Sequence, residues 1–152
     1  PAAEYTVLID YAHTPDAVEN VLRSVRGFAK GRVVALLGCG GDRDKTKRPK
    51  MGAIAAALSD LVIVTSDNPR MEDPKGIIQD ILAGMYRSQT PHIVVEDRAA
   101  AIAYAMDHAQ KGDVIVLMGK GHETYQIVGT EKRHLDEREI VAAHWEQTHG
   151  GM

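Results

Sequence analysis

Four short apolar runs, at residues 7–9, 33–37, 61–65 and 114–118, each stop abruptly at a loop of polar residues. Apolar runs that are continuous rather than alternating are typical of strands buried on both faces of a parallel sheet. In such sheets, ligands bind beyond the carboxyl ends of the strands. The pattern therefore predicts a parallel sheet, and it also predicts the edge of that sheet at which a functional site should lie.

Segments with a helical spacing of apolar residues separate these runs. Each segment starts at residues that favour a helix N-terminus: Thr14 with Pro15, then Pro49, Asp73 and Asp97. We expect the first helix to end at Gly31 and the fourth near Gly112, because glycine commonly follows the last helical turn. A short strand at 93–95 should precede the fourth helix.

The last quarter of the chain departs from this alternation. Residues 125–134 predict an antiparallel hairpin that turns at Gly129. Asp136 should begin a final helix through a capping box, with Ile140, Val141 and Trp145 on its buried face. The order of elements predicts a Rossmann-like, doubly wound α/β domain with a mainly parallel six-stranded sheet and an antiparallel edge hairpin.

Length and charge narrow the class of protein. A chain of 152 residues can form one domain with its own core. The net charge of −3 is carried without a block of like charge, so we expect no nucleic acid and no membrane as partner. A single cysteine, Cys39, fits a reducing cytoplasm. Pro1 lies so close to the first strand that we expect the domain to come from a longer protein.

The loop after the second run, GCGGDRDKTKRP at 38–49, combines glycines with a set of basic residues: Arg43, Lys45, Lys47 and Arg48. Glycines let the backbone approach an anion closely, and basic side chains could neutralise it. The loop is not a P-loop, because Asp44 stands where glycine is required, and it lacks the third glycine of a dinucleotide-binding motif. Anion binding and an exposed basic loop without a ligand are both compatible with this pattern.

The loop after the third run contains Asp67, Asn68, Pro69 and Arg70. Asp, Asn and Pro favour turns for local reasons, so a plain turn is one interpretation. The other interpretation is recognition, because Asp67 and Asn68 offer acceptors to an ammonium group and Arg70 offers a fork of donors to a carboxylate. A ligand that carries both groups, such as an amino acid, would match.

The loop after the fourth run, GKGHE at 119–123, has a similar range of interpretations. Its glycines permit close backbone approach, Glu123 could pair with a cation, and His122 could act as an acid or a base. The seven histidines show no paired spacing, so we predict no metal site in this chain. Cys39 has no base beside it, which favours a packed thiol over a nucleophile. We assign no catalytic residue.

Taken in order, the strings DYAHTPD, GCGGDRDKTKRP, TSDNPR, DRAAAI and GKGHETYQ resemble the C-terminal domain of the Mur ligases. The resemblance covers nearly the whole chain, so residues 1–152 are expected to form this one domain. It is closest to the subgroup that adds the third residue of the peptidoglycan stem peptide. In that subgroup the string DNPR marks enzymes that add meso-diaminopimelate rather than lysine.

The resemblance implies a cytoplasmic, ATP-dependent bacterial ligase of three domains, of which this chain matches the third. A UDP-sugar domain and a central domain that holds ATP and Mg²⁺ would lie outside the chain. The full enzyme would join meso-diaminopimelate to UDP-MurNAc-L-Ala-D-Glu through an acyl phosphate. The isolated domain is expected to be inactive.

By position, the resemblance assigns diaminopimelate binding to seven residues: Arg43, Asp67, Asn68, Pro69, Arg70, Gly119 and Glu123. Arg43 and Arg70 would hold carboxylates, and Glu123 an ammonium. Asp10 and His13 match a segment that faces ATP, where Asp10 could bond a ribose hydroxyl. Two alternatives remain open: a stand-alone amino-acid-binding module, and a related ligase such as a folylpolyglutamate synthetase.

Overall fold

A computed structural model describes residues 4–121 and 123–149 of the chain. Within them, a parallel sheet of five strands forms the centre, in the order β1-β5-β2-β3-β4. The strands are Thr6–Asp10 (β1), Val33–Leu37 (β2), Leu61–Val64 (β3), His92–Val94 (β4) and Val114–Met118 (β5). β2 and β5 are buried at every position, which explains why their sequences show no polar alternation.

Helices cover both faces of this sheet. They are Pro15–Phe28 (α1), Lys47–Leu58 (α2), Pro74–Ala83 (α3), Arg98–Asp107 (α4) and Glu137–His149 (α5). Apolar residues of α1, α2 and α3 share one core cluster with one face of the strands. Apolar residues of α4 and α5 pack on the other face. The doubly wound α/β class is therefore confirmed. No helix among the described residues is long and apolar enough to cross a membrane.

The three predicted aspartate and threonine caps, Thr14, Asp73 and Asp97, are confirmed. The side chain of each accepts a hydrogen bond from a backbone N–H in the first turn of its helix. α2 differs, since it begins at Lys47, two residues before Pro49, and has no side-chain cap bond. Local capping chemistry therefore predicted three of these four helix starts to the residue.

The predicted helix ends were wrong. α1 ends at Phe28 rather than Gly31, and α4 ends at Asp107 rather than near Gly112. The two glycines instead lie against each other, because a Cβ added to Gly31 would come within 2.6 Å of the backbone of Gly112. They permit a close crossing of two loops, which local sequence does not reveal. The ends of β3 and β4 differ from the prediction by one residue each.

The predicted hairpin forms from strands Tyr125–Val128 (β6) and Glu131–His134 (β7). The predicted count of six strands in the main sheet was wrong. Among the described residues that sheet has five strands, and the hairpin is a separate two-stranded sheet. Its connection to the rest of the domain includes an isolated bridge between Val128 and Arg70, in the loop after β3.

The last helix begins directly after Asp136 as predicted, and Asp136 Oδ1 accepts a hydrogen bond from the Arg138 N–H. The predicted capping box is only half formed, because the Glu139 carboxylate pairs with His134 at 2.7 Å.

The buried face of α5 follows the prediction except at Trp145. Ile140 and Val141 pack against the core as expected. Trp145 is 41% exposed and contacts Tyr5 edge-on, with ring centroids 5.6 Å apart. α5 covers the margin of the sheet near the start of β1, so the indole ring of Trp145 is only partly enclosed.

Candidate functional site

The loops after β1, β2, β3 and β5 meet at the carboxyl edge of the sheet. The parallel register brings them together, since Met118 is the partner of both Asp10 and Leu37, and Leu37 is in turn the partner of Val64. The loops line a cleft of about 340 Å³. Predicted site residues that line it are His13, Arg43, Asp67, Asn68, Arg70, Gly119 and Glu123.

Two predicted residues, Asp10 and Pro69, do not line this cleft. The Asp10 carboxylate accepts a hydrogen bond from the Ala12 N–H at 2.8 Å and so shapes its own loop. Pro69 packs closely against the loop after β2, because a Cβ added to Gly41 would overlap the Pro69 carbonyl oxygen. Asp10 thus bonds within the loop after β1, and Pro69 packs against the loop after β2. The predicted acid or base His122 lies outside the described residues.

Arg70 has a backbone φ of +53°, a conformation that residues with a Cβ seldom adopt. The hairpin holds it there: the Arg70 N–H donates to the Ile127 carbonyl at 3.0 Å, and the Arg70 carbonyl accepts from the Gly129 N–H at 2.6 Å. A strained conformation persists only when its surroundings fix it. The hairpin is therefore part of the framework of the site.

One nitrogen of the Arg70 guanidinium is hydrogen-bonded to backbone carbonyls. Arg70 Nη1 donates to the carbonyl oxygens of Gly41 at 3.1 Å and Asn68 at 3.3 Å. Among residues 4–121 and 123–149, Nη2 has no hydrogen-bond partner. A guanidinium that is oriented by one nitrogen can present the other to a ligand.

Arg43 and Arg70 converge on Gly40. A Cβ added to Gly40 would lie 3.0 Å from Nη1 of Arg70 and 3.6 Å from Cγ of Arg43. Arg43 is exposed, and its Nη1 donates to the carbonyl of the neighbouring Asp42 at 3.0 Å. We refer to Arg43 and Arg70 as the basic group of the cleft.

Lys120, which the sequence interpretation left out, is fully buried beside the predicted acceptors. Its Nζ lies 3.3 Å from Asp67 Oδ1, 3.2 Å from Asn68 Oδ1 and 3.5 Å from Glu123 Oε1. The side chains proposed to hold a ligand ammonium therefore already contact an ammonium of the chain itself. We refer to Asp67, Asn68 and Glu123 as the acceptor group. A lysine between two glycines after a buried strand is the one sequence signal that could have indicated it.

The hairpin also fixes the loop after β3. The Ile127 N–H donates to Asn68 Oδ1 at 2.9 Å. Gln126 Nε2 donates to the Asp67 carbonyl at 2.6 Å and to Ser66 Oγ at 3.0 Å. Asp67 and Asn68 are only 7% and 4% exposed, so this loop is a well-packed part of the domain rather than a plain surface turn.

Arg98 is a second buried cation that the sequence interpretation missed. Its Nη1 donates to the Ser66 carbonyl at 3.1 Å, and its Nη2 to the Met118 carbonyl at 2.8 Å. Ser66 and Met118 directly precede Asp67 and Gly119, so one guanidinium joins the bases of two site loops. Its Nε donates to Glu137 Oε2 at 2.9 Å, and both side chains are fully buried.

Arg48 was predicted to add positive charge to an anion site, but it is 1% exposed and serves the framework. Its guanidinium donates to Glu72 at 2.8 Å, to Asp80 at 2.9 Å and to the Gly40 carbonyl at 2.9 Å. The hydrogen bonds from Arg48 lower the pKa of Glu72 to about 2. The exposed positive charges that line the cleft are those of Arg43 and Lys47.

Cys39 is a packed thiol, as predicted. Burial raises the pKa of its thiol to about 12, and Sγ lies 3.8 Å from the sulfur of Met51. A thiolate nucleophile is therefore disfavoured at neutral pH. Within the described part of the chain, no group of three or more His, Cys, Asp or Glu side chains could hold a metal ion.

Comparison with known proteins identifies the family. The sequence profile of the Mur ligase family, glutamate ligase domain, matches residues 2–121. The chain is 58% identical over 143 residues to the UDP-N-acetylmuramoyl-L-alanyl-D-glutamate--2,6-diaminopimelate ligase of Trichormus variabilis, covering 94% of this chain and 29% of that protein. It is 55% identical over 136 residues to the protein of the same name from Clostridioides difficile, covering 90% and 28%.

A solved structure supports the same relationship. A ligase with that name superimposes with a TM-score of 0.93 at 39% identity, covering 98% of this chain and 31% of that protein. The chain thus spans less than a third of the length of these relatives.

Proposed function

This chain belongs to the Mur ligase family, through its glutamate ligase domain, and we propose that it presents meso-diaminopimelate for attachment to UDP-MurNAc-L-Ala-D-Glu. The observation that carries this proposal is the presence, in one cleft, of the basic group beside the acceptor group. A free amino acid offers a carboxylate and an ammonium close together, and these two groups complement the two sets of side chains. The names of the relatives support diaminopimelate as that amino acid.

Specificity for diaminopimelate over lysine should depend on the far end of the substrate, meaning the end away from the amine that reacts. Diaminopimelate carries a second carboxylate at the end where lysine has an ammonium alone. We assign this carboxylate to Arg70, because its backbone is held by the hairpin and its Nη2 has no hydrogen-bond partner among the described residues. Arg43, which makes a single local side-chain bond, would assist from the loop after β2. Glu123 and Asp67 would take the far ammonium.

In the proposed reaction, the residues of this chain bind and orient rather than transfer protons or phosphate. ATP, held mainly by other parts of the protein, would phosphorylate the D-glutamate carboxylate to an acyl phosphate, from which attack by the amine would release phosphate. By holding diaminopimelate at its far end, the cleft would place the other amine for attack on that carboxylate. Orientation of this kind can account for several kcal/mol of a reaction barrier. The described residues contain no cluster of three or more potential metal ligands, and we assign Mg²⁺ to the rest of the protein.

The loop after β1 is the part of this chain that we propose to face ATP. His13 lines the cleft, and its ring lies 4.7 Å from the ring of Tyr11, centroid to centroid. One oxygen of Asp10 is used by the Ala12 N–H, so a ribose hydroxyl would have to bond the other. We further propose that the full enzyme acts in the bacterial cytoplasm, where its nucleotide substrates are made.

The proposal is tested by amide formation in the full-length protein that carries this domain. We expect product from UDP-MurNAc-L-Ala-D-Glu, ATP and diaminopimelate, and much less from lysine. Product from a folate and glutamate instead would favour the folylpolyglutamate synthetase alternative.

Calorimetry on the 152-residue chain distinguishes between two hypotheses, a ligase domain and a stand-alone binding module. Diaminopimelate should bind it with a dissociation constant of roughly millimolar order, about 4 kcal/mol, because only part of the site is present. Submicromolar binding would favour the module.

A further inference from the structure

The ammonium of Lys120 lies among the three side chains of the acceptor group, where we propose that the ammonium of a ligand also binds. We infer that Lys120 is a positioning residue that leaves the acceptor group with room for one ligand ammonium, and that it thereby favours an amino-acid end over a lone ammonium. The inference rests on the proposed function, whose substrate selection it refines.

The contacts of the buried Lys120 give its ammonium a defined set of partners. An ammonium has three N–H donors, and Nζ has three oxygen neighbours, on Asp67, Asn68 and Glu123, at 3.2 to 3.5 Å. The ring of Tyr125 lies 5.8 Å from Nζ and adds a cation–π contact. A buried lysine without such partners would be strongly disfavoured.

The backbone around Lys120 is adapted to this placement. Gly119 and Gly121 have φ values of +116° and +52°, which L side chains rarely adopt. A Cβ added to Gly121 would lie 2.8 Å from Cβ of Tyr11, so the chain can pass there only as glycine. The two glycines let the chain turn sharply on both sides of one buried lysine.

Gly119 lies next to the second oxygen of Asp67. A Cβ added to Gly119 would lie 3.5 Å from Asp67 Oδ2. Lys120 occupies Oδ1, whereas Oδ2 has no hydrogen-bond partner among the described residues. One carboxylate oxygen is thus committed to the chain and the other is left for a ligand.

The charges determine which ligand fits. Asp67 and Glu123 carry two negative charges, and Lys120 balances one of them. The remaining single charge can pair with one ammonium without repelling a carboxylate attached to the same carbon. Without Lys120 the pair would carry two negative charges, which would favour a lone ammonium such as that of lysine and oppose an adjacent carboxylate.

The test is steady-state kinetics of the full-length ligase with Lys120→Met, which keeps the stem and removes the charge. We expect kcat/KM for diaminopimelate to fall at least about tenfold, the loss expected for one charge-assisted contact. The fall should come mainly from KM. The value for lysine should stay the same or rise, so the preference for diaminopimelate should shrink. Lys111→Met, the same change on an exposed lysine before β5, should leave both values unchanged.

A second variant distinguishes the loss of the Lys120 charge from a defect in folding. Lys120→Ala should regain diaminopimelate selectivity when propylammonium is added, but not with tetramethylammonium at equal ionic strength, because only the primary amine donates hydrogen bonds. Equal losses for both amino acids, together with no rescue by propylammonium, would overturn the inference and leave Lys120 a structural residue. A wild-type ligase that forms no amide from diaminopimelate would overturn the proposed function, and this inference with it.

Discussion

Two loops that line the same cleft are held in place very differently. The loop after β3, residues 66–70, is mostly buried and is bonded to the hairpin, to Lys120 and to Arg98. In the loop after β2, residues 42–47 are exposed, and several side-chain bonds there join near neighbours, such as Thr46 to Asp44. The first loop is preorganised for a ligand, whereas the second retains side-chain freedom that binding must remove.

From this difference we propose separate tasks for the two arginines of the cleft. Arg70 sits on the fixed loop, so its guanidinium can distinguish ligands by geometry. Arg43 sits on the exposed loop, so we expect it to follow a bound carboxylate but to discriminate less. Selectivity should therefore depend on the loop after β3, and changes to the loop after β2 should have smaller effects.

The largest expected effect comes from removing the cation at the base of the fixed loop. Arg98→Met should destabilise the domain by about 3–5 kcal/mol, because it leaves Glu137 buried without a counter-charge. Urea unfolding of the 152-residue chain measures this. The double variant Arg98→Met/Glu137→Met should recover much of the loss. If the single variant unfolds like the wild type, then Arg98 does not secure the two site loops.

Acidification should act next most strongly, through the attachment of the exposed loop. Glu72 binds Arg48 and accepts from the Asp42 N–H at 2.8 Å. Its folded pKa of about 2 lies below its ordinary value of 4.5. The stabilisation by Glu72 is thus fully present above about pH 4.5 and is lost as the pH falls towards 2. Unfolding free energies measured across this range should fall with pH in the wild type and more gently in Glu72→Gln. Parallel curves would contradict the assignment.

The smallest expected effect concerns a surface charge on the exposed loop. Lys45 lies 3.9 Å from Glu72, and its side chain is 67% exposed. Ion pairs of this kind contribute little, so Lys45→Ala should change the unfolding free energy by less than about 0.5 kcal/mol. A loss above 2 kcal/mol in the same urea experiment would indicate that the loop after β2 is held more firmly than its contacts imply.

The sequence predicted those features that depend on local chemistry. Continuous apolar runs predicted β2 and β5 to the residue, and side-chain caps predicted the starts of α1, α3 and α4. The edge of the sheet at which the polar loops meet followed from the same pattern. The close contact of Gly31 with Gly112 could not be predicted, because it joins residues far apart in the chain.

The site was predicted less completely for the same reason. Lys120 and Asp67 are 53 residues apart, and Arg98 and Glu137 are 39 apart. Buried ion pairs of this kind have no local signature, so both cations resembled ordinary surface residues in the sequence. The residues alone also left both a plain turn and a recognition loop open for Asp67 to Arg70, and they favoured the turn. The assignment to diaminopimelate depended on resemblance, and the geometry added the partners that hold the loop.

The most direct test of the proposed selectivity is Arg70→Ala in the full-length ligase, with amide product measured from diaminopimelate and from lysine at saturating ATP. Loss of the charge-assisted contact between the Arg70 guanidinium and the far carboxylate should lower kcat/KM for diaminopimelate by about 10- to 100-fold, since charge-assisted bonds contribute about 1.5–3 kcal/mol. Activity with lysine should change much less, and Arg23→Ala on α1 should change neither. A loss of equal size for both amino acids would contradict the assignment of the far carboxylate to Arg70.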